Sequence, residues 1–310
     1  MIQSASNTDF YFSTEKPSGY IHHPKYLYAF EDFRVLNKTP ERAFYLLNAP
    51  DKTIVGTSFF YRKENEWLSP LKAPFGGFDI RNAPQYIIAE FVEFVLSSLL
   101  SGIIRLRLFP QSYDPELSRF LHEELIKNGF EVITQEPNHH VEVDKTPMEE
   151  KIHKMEQRKL NACLEQNFSF LEEDVSQTGE IYDFIEECRN ELNYSVSMTR
   201  EEIWEAVNQI PGHYQFFSVK DGNKRVAACI SVVVNEEIVY NFYPASVKEY
   251  NKYSPSVFLN CGIYRFCQNH GYRMMDLGTS FLNGKPNESL ISFKEKLGAS
   301  ASLRVSYKRV

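Results

Sequence analysis

The chain lacks the motifs that define several common functional classes. Its 310 residues contain no Walker sequence, no Gly-x-Ser-x-Gly elbow and no HExxH or HxxxH spacing. P-loop nucleotide binding, an α/β-hydrolase nucleophile and a helical zinc site are therefore not indicated. Four of the eight histidines form the adjacent pairs His22–His23 and His139–His140, whose side chains point to opposite faces of a strand. We expect no metal site.

Disulfide pairing, export and membrane insertion are not indicated either. The five cysteines are an odd number without a CxxC spacing, which is typical of free thiols in a reducing compartment. The first twenty residues have neither a basic start nor an apolar core. The longest apolar run, "FVEFVLSSLLSGII", contains Glu93 and is shorter than a bilayer crossing requires. We expect a cytoplasmic protein without a membrane span.

The charge balance argues weakly against general nucleic-acid binding. The net charge is −7 and the pI about 5.7, whereas a phosphate backbone attracts a basic surface. We expect no DNA partner. A local basic patch stays open: Lys151, Lys154 and Arg158 fall on one side of a charged helix. This patch could contact an aminoacyl-tRNA or another phosphate, or it could be an ordinary solvated face.

The sequence contains two halves with a similar order of elements. Each half has antiparallel strand patterns followed by a strand, a helix and another strand; Pro84 corresponds to Pro255, and Gly102 to Gly271. This order predicts a mixed α/β fold of α+β character, in which each domain is a mostly antiparallel mixed sheet flanked by helices. We place the domains at 1–145 and 146–310. The alternative is that the two halves are not a true repeat, because any two α/β segments look alike in such a coarse comparison.

Local signals predict individual element ends. Asn82 could cap the helix that follows Pro84, and Asp114 precedes Pro115 at the start of an amphipathic helix. "TPMEEKIHKMEQRKLNACLEQN" is typical of one continuous charged helix from Thr146, while "FEVITQE" and "HHVEVD" are typical of two separate strands.

Three stretches in the second half carry a family resemblance. They are "EQRKLNACLEQN", "YSPSVFLNCGIYRFCQNHGYRMMDLGTS" and "NESLISFKEKLGA", in this order. The chain resembles a tandem GNAT (acyl-CoA N-acyltransferase) protein, and within that fold the Fem-type aminoacyltransferases that build peptidoglycan bridges and their acetyltransferase-like relatives. The resemblance implies two GNAT-like domains, the first degenerate and the second containing the functional cleft.

The resemblance also implies a reaction. It is the transfer of an acyl or aminoacyl group to an amine of a small molecule or cell-wall precursor, from acyl-CoA (such as acetyl-CoA) or from aminoacyl-tRNA. However, the loop "SVKEYNKYSPS" before the second crossover helix has no glycine, whereas acetyl-CoA-dependent members usually bind pyrophosphate in a Gln/Arg-x-x-Gly-x-Gly/Ala loop. The alternative is therefore a non-catalytic GNAT-like protein that binds a ligand in the same cleft.

The start of this crossover helix is the candidate cofactor site. Free backbone N–H groups, the helix dipole and a nearby lysine favour an anion there. The candidate residues are Lys252, Tyr253, Ser254 and Ser256. Ordinary capping by serine with Pro255 in the first turn is the alternative.

Three further residues are candidates for catalysis. Lys294 matches the signature lysine of the resembled family and could stabilise negative charge on the acyl oxygen. Asp276 ends an apolar strand and could orient a substrate, and Tyr243 could carry a proton. The alternatives are a solvated lysine, a carboxylate that caps a turn, and a tyrosine used for packing.

Overall fold

The computed structural model describes residues 2–30, 33, 39–99, 102–192, 194–282 and 284–310. They form two compact units: Met1–Glu136 together with Leu303–Val310, and Pro137–Ser302. The division differs from the expected one at residue 146, because one strand passes from the first unit into the second and the last eight residues belong to the first.

Among its described residues, the first unit contains strands and two long helices. Its strands are β1 (Ile2–Ser4), β2 (Phe10–Ser13), β3 (Ile21–His22), β4 (Arg42–Asn48), β5 (Thr53–Lys63), β6 (Glu66–Ser69), β7 (Phe78–Ile80) and β8 (Ile103–Arg107). Its helices are α1 (Gln85–Ser98) and α2 (Pro115–Lys127). The strand β9 (Glu131–Glu142) begins in this unit and ends in the second.

The sheet of the first unit is mostly antiparallel. β1, β2, β4, β5 and β6 follow one another, and each pair of neighbours is antiparallel. β6 then pairs in parallel with β8, so α1 makes the crossover between these two strands. The C-terminal strand of the chain (Ser300–Arg309) pairs with β8 through its last residues.

The second unit has its own set of elements. Its helices are α3 (Met148–Lys151), α4 (Lys154–Glu165), α5 (Thr178–Asn190), α6 (Arg200–Gln209), α7 (Pro255–His270) and α8 (Glu288–Lys296). Its strands are β10 (Ser169–Glu173), β11 (Tyr214–Asp221), β12 (Lys224–Asn235), β13 (Ile238–Ser246), β14 (Met274–Thr279), β15 (Phe281–Leu282) and β16 (Lys285–Pro286); the C-terminal strand is β17 (Ser300–Arg309).

The sheet of the second unit repeats the plan of the first. β10, β11, β12 and β13 pair antiparallel in sequence order, β13 pairs in parallel with β14, and β14 pairs antiparallel with the end of β9. The helix α7 makes the parallel crossover, as α1 does in the first unit. The repeated strand–helix–strand crossover predicted from Pro84, Pro255, Gly102 and Gly271 is therefore present in both units.

A close approach fixes α7 on this sheet. A Cβ atom added to Gly262 would lie 2.1 Å from the ring of Phe170 on β10. Glycine is thus needed because an aromatic ring occupies the space of a side chain. Around this contact, α7 buries ten of its sixteen residues, and it packs against β11, β12, β13 and β14 and against the helix α4. The helix that borders the second-unit cleft is therefore held from two sides.

Three local expectations are corrected. Asn82 does not cap α1: its own φ is +57°, and Pro84 is the N-cap residue without a side-chain hydrogen bond. The charged helix from Thr146 breaks at Ile152, because His153 adopts an extended conformation and its side chain accepts a hydrogen bond from the backbone of Met155 to start α4. The two strands expected before residue 146 are one continuous strand, β9.

Other expectations agree with the structure. Asp114 accepts a hydrogen bond from the backbone N–H of Leu117, 2.9 Å away, and caps α2. All five cysteines are free and buried. No helix within the described ranges is long and apolar enough to cross a membrane.

Candidate acyl-transfer cleft

The cleft of the second unit begins where β13 and β14 separate. They pair only from Ile238 to Tyr240 against Met274 to Asp276. Directly afterwards, β13 contains a bulge at Phe242, since Ile230 lies opposite Tyr243 and Ser231 opposite Asn241. A bulge bends its strand, so β13 turns away from β14 and leaves a gap between two parallel strands.

This gap is a cleft with an empty volume of about 890 Å³, part of it open to solvent. Its walls come from β13, β14, α7, α8 and the end of α5 with the residues after it. The lining residues are Cys188, Arg189, Leu192, Tyr194, Asn241, Pro244, Ala245, Ser246, Ser256, Asn260, Leu277, Leu290, Phe293, Lys294 and Leu297.

One wall contains a buried amide network. Asn241 Nδ2 donates to Asn260 Oδ1 at 3.1 Å, and Ser231 Oγ donates to Asn241 Oδ1 at 3.1 Å. Asn260 Nδ2 donates to the carbonyl of Ser256 at 2.8 Å. Because buried amides are costly when unpaired, these bonds hold β13 and the first turns of α7 at a fixed separation.

Lys294 on α8 also lines the cleft and is 5% exposed. Its Nζ donates to the carbonyl oxygens of Gly278 at 2.8 Å and Thr279 at 3.0 Å. An ammonium group has three N–H donors, and two of them are occupied by β14. Burial lowers the pKa of Lys294 to about 8, although the nearby Asp276 carboxylate opposes this change.

Asp276 supports the strand end rather than the cleft wall. It is 2% exposed, and its Oδ1 accepts hydrogen bonds from Asn138 Nδ2 at 2.9 Å and from the backbone N–H of Gly278 at 2.8 Å. Gly278 has φ +74°, and an added Cβ would lie 2.8 Å from the ring of Tyr240. Asp276 thus fixes the backbone turn whose carbonyl oxygens receive Lys294.

A buried histidine lies near Lys294. His139 Nδ1 is 3.3 Å from Ser280 Oγ, and within the described part of the chain its Nε2 has no hydrogen-bond partner. Burial, and after it the charge of Lys294, lowers the pKa of His139. Both effects disfavour the charged form of His139.

Of the four candidate cofactor residues, only Ser256 lines the cleft. Its hydroxyl donates to Ser246 Oγ at 2.9 Å. Lys252 is exposed, with its Nζ 4.6 Å from the centre of the Tyr253 ring, and Tyr253 packs against Phe168. Ser254 has φ +58°, and its side chain makes no capping hydrogen bond.

The third catalytic candidate, Tyr243, is used elsewhere. Its hydroxyl accepts hydrogen bonds from the backbone N–H groups of Ser197 at 2.9 Å and Met198 at 3.0 Å, and it lies 2.6 Å from Ser197 Oγ. Burial raises the pKa of Tyr243 against the effect of these bonds. The residue anchors the segment between α5 and α6 and does not line the cleft.

The segment before α7 does not fit the pyrophosphate of CoA in the usual manner. The backbone N–H groups of Tyr250, Asn251, Tyr253 and Ser254 donate to carbonyl oxygens of the same segment. At the helix start, Pro255 has no N–H, and the N–H of Val257 donates to Ser254. These five N–H groups are therefore already used and do not remain for a phosphate.

Sequence reasoning missed Asn241 and Asn260. The available signal was an asparagine within an apolar strand ("VYNFYP") and another within an apolar helix ("FLNCG"). Polar residues in such places are buried and need partners. No group of three or more His, Cys, Asp or Glu residues that could hold a metal was found among the described residues.

One family model matches a large part of the second unit. Residues 152–288 match the family model described as an acetyltransferase (GNAT) domain. No curated protein matches the sequence.

Solved structures agree with this match at the level of fold. The crystal structure of FemX is similar with a TM-score of 0.69, 10% identity and 92% coverage of both chains. A putative lysylphosphatidylglycerol synthetase C-terminal domain from Agrobacterium fabrum has a TM-score of 0.56 at 12% identity, covering 82% of this chain and 81% of that one. L-PGS from Bacillus licheniformis has a TM-score of 0.54 at 12% identity with the same coverage.

The predicted fold is therefore confirmed. The chain is a mixed α/β protein of two GNAT-like units, and its fold resembles that of the Fem-type protein FemX. The catalytic and cofactor roles of the individual residues stay predictions.

Proposed function

We propose that this GNAT-fold protein is an acyl or aminoacyl transferase that moves an activated acyl group to the amine of a small molecule or cell-wall precursor. The second-unit cleft would receive the acyl end of the donor. The observation that carries the proposal is Lys294, a buried ammonium group held by two backbone carbonyls at the wall of the cleft. A buried lysine with a lowered pKa is costly for folding, and such groups concentrate at functional sites.

The chemistry requires stabilisation of one developing negative charge. A neutral amine attacks the acyl carbonyl, a C–N bond forms, and the C–O or C–S bond to the leaving group breaks. The amine loses one proton, and the leaving oxygen or sulfur gains one. In the tetrahedral intermediate the carbonyl oxygen is negative, and the remaining N–H of Lys294 would donate to it. Because β14 holds Nζ before the reaction, little reorganisation is needed.

The segment before α7 favours a donor that is not recognised through pyrophosphate. Four of its N–H groups, those of Tyr250, Asn251, Tyr253 and Ser254, are bonded internally, and Lys252 lies against Tyr253. An aminoacyl ester of tRNA contains no pyrophosphate and needs no such loop. The similarity in fold to a protein described as a lysylphosphatidylglycerol synthetase supports aminoacyl chemistry, since that product is an aminoacylated lipid.

The test is a transfer assay with three labelled donors. Purified protein is incubated with a panel of amines and with mixed aminoacyl-tRNA, acetyl-CoA or S-acetylpantetheine, which has the thioester but lacks pyrophosphate. We expect transfer from aminoacyl-tRNA that weakens steeply with salt, and no advantage of acetyl-CoA over S-acetylpantetheine. A clear preference for acetyl-CoA would contradict the reading of the segment before α7.

A matched pair of variants tests the role of Lys294. Removal of one oxyanion donor lowers kcat by about 10²–10³-fold, so we expect this loss in Lys294→Met. Lys296→Met is the control, because Lys296 is on the same helix but does not line the cleft. Equal activity of the two variants would refute the assignment.

A second candidate function is ligand binding without turnover. The internally bonded N–H groups before α7 favour it, because they remove the usual donor contact of a GNAT enzyme. Saturable binding of a donor without transfer of its acyl group to any amine would establish this alternative. Turnover that depends on Lys294 would exclude it.

A further inference from the structure

The first unit contains a pocket walled mainly by aromatic rings. It has an empty volume of about 530 Å³, part of which is open solvent. Thr57, Phe59 and Tyr61 alternate along β5 and therefore face the same side. Tyr26, Tyr28 and Phe75 form further walls.

The rings stand at right angles rather than in a stack. Tyr26 and Phe75 have centroids 5.4 Å apart and an interplanar angle of 88°, and Tyr28 and Phe75 have centroids 4.7 Å apart at 85°. The pocket is therefore lined by several aromatic rings, and the π faces of such rings carry negative potential and attract organic cations.

A carboxylate and a hydroxyl lie together in this pocket. Asp79 on β7 is directly opposite Thr57 on β5, so their side chains share one face of the sheet. The two oxygens of Asp79 accept the backbone N–H groups of Lys25 and Tyr26, each at 2.9 Å. Each oxygen thus keeps acceptor capacity for a second donor.

The Thr57 hydroxyl is the less expected group. Thr57 is 1% exposed, and its Oγ1 has no hydrogen-bond partner within the described ranges. A buried hydroxyl without a partner destabilises a protein, and valine would fit the same space without that cost. The pocket therefore pairs an unsatisfied hydroxyl with a carboxylate inside aromatic walls.

We propose that this pocket binds a small organic molecule through a primary ammonium group. The carboxylate of Asp79 and the Thr57 hydroxyl would accept its N–H donors, and the rings would surround its cationic end and the attached carbon chain. A quaternary ammonium group would fit the rings but leave both acceptors unused. Binding in this pocket requires no transferase activity, so failure of the proposed function would leave the site intact.

The protonation of Asp79 agrees with a cationic ligand. Burial raises the pKa of Asp79 to about 6, against the effects of the two backbone N–H groups and the charges of Lys25 and Arg81. Lys72 also lines the pocket. At neutral pH the carboxyl group is ionised, and a bound cation would stabilise its charge.

The test compares three probes by isothermal titration calorimetry on the full chain at pH 7.5. Tyramine has a primary ammonium group, tyrosol has a neutral hydroxyl in its place, and choline is quaternary. We expect tyramine to bind about tenfold or more tightly than either of the others. Equal binding of tyramine and tyrosol, binding of choline as tight as that of tyramine, or no binding of tyramine would overturn the proposal.

Two variants locate the interaction. Thr57→Val should weaken tyramine binding by about five- to tenfold, while the resistance of the protein to denaturant stays unchanged or rises. A residue with a purely structural role would not lose ligand affinity without also losing stability. Asp79→Asn should abolish the preference for tyramine over tyrosol, and Asp51→Asn, at an exposed turn, should keep it. If Asp79→Asn does not fold, Thr57→Val decides: unchanged tyramine binding in that variant refutes the site.

Discussion

Burial of Lys294 should make the stability of the protein depend on pH in a defined window. The pKa falls from 10.5 to about 8 in the folded protein. The unfolded chain therefore binds more protons than the folded one between about pH 8 and pH 10.5, and stability rises with pH where that is so. One pKa unit corresponds to ~1.4 kcal/mol, so Lys294 should add about 3 kcal/mol to the free energy of unfolding across this window.

The measurement is a difference between two proteins. Wild type and Lys294→Met are unfolded in urea at several values from pH 7 to pH 10.5, which cancels the titration of tyrosines common to both. The wild type should gain about 3 kcal/mol relative to the variant over this range. Below pH 8 the lysine costs desolvation energy, and methionine leaves two carbonyls without their donor, so only the change with pH is diagnostic.

A control variant tests whether the pH dependence of stability requires a buried lysine or only a charged one. Lys296→Met removes a partly exposed lysine from the same helix, so its curve should follow the wild type. Parallel curves for wild type and Lys294→Met would refute the conclusion that Lys294 is buried as a charged group, and with it the main support for its role in the cleft.

Three substitutions test the packing around the cleft. Gly262→Ala should lower the free energy of unfolding by about 1–3 kcal/mol because its Cβ would meet the Phe170 ring. Adding Phe170→Leu to this variant should recover part of the loss. An unchanged denaturation midpoint of Gly262→Ala would contradict the close contact. Gly278→Ala should lower the free energy of unfolding by at least about 1–2 kcal/mol, since position 278 combines a positive φ with close contact to Tyr240. Thermal unfolding measures this loss, and a variant as stable as the wild type would disprove the turn geometry. Asn260→Ala should cost about 1–3 kcal/mol by leaving a buried amide unpaired, and a neutral effect in urea would show that the amide network is not closed.

The fold was predictable because its determinants are local and occur twice. Pro84 and Pro255 mark the starts of the crossover helices, and alternating strands precede both; Gly271 is the C-cap of α7, whereas α1 ends at Ser98, before Gly102. The cap of α2 at Asp114 was predictable for the same reason, because side chain and backbone donor are three residues apart. By contrast, the break at Ile152 was not: the backbone N–H of His153 donates to the carbonyl of Lys296, a partner far away in the chain.

The candidate site residues are brought together only in part. Lys294 and Ser256 line the second-unit cleft, whereas Asp276 and Tyr243 do not, and the functional roles of all four stay predictions. Tyr243 has the residue type for proton transfer, but the bulge at Phe242 turns it toward Ser197. A bulge shifts every later side chain to the other face, and no pattern in "YNFYPAS" shows where it occurs.

The sequence by itself thus determined two related α/β units, the crossover helices and the region of the second-unit cleft, because periodicity, caps and breakers act over a few residues. Only the tertiary structure decided which side chains face each other. It placed Lys294 against the carbonyls of β14, Asn241 against Asn260, and Thr57 beside Asp79 among aromatic rings. Burial, charge and hydrogen-bond demand depend on these long-range neighbours, and these quantities give a residue its chemistry.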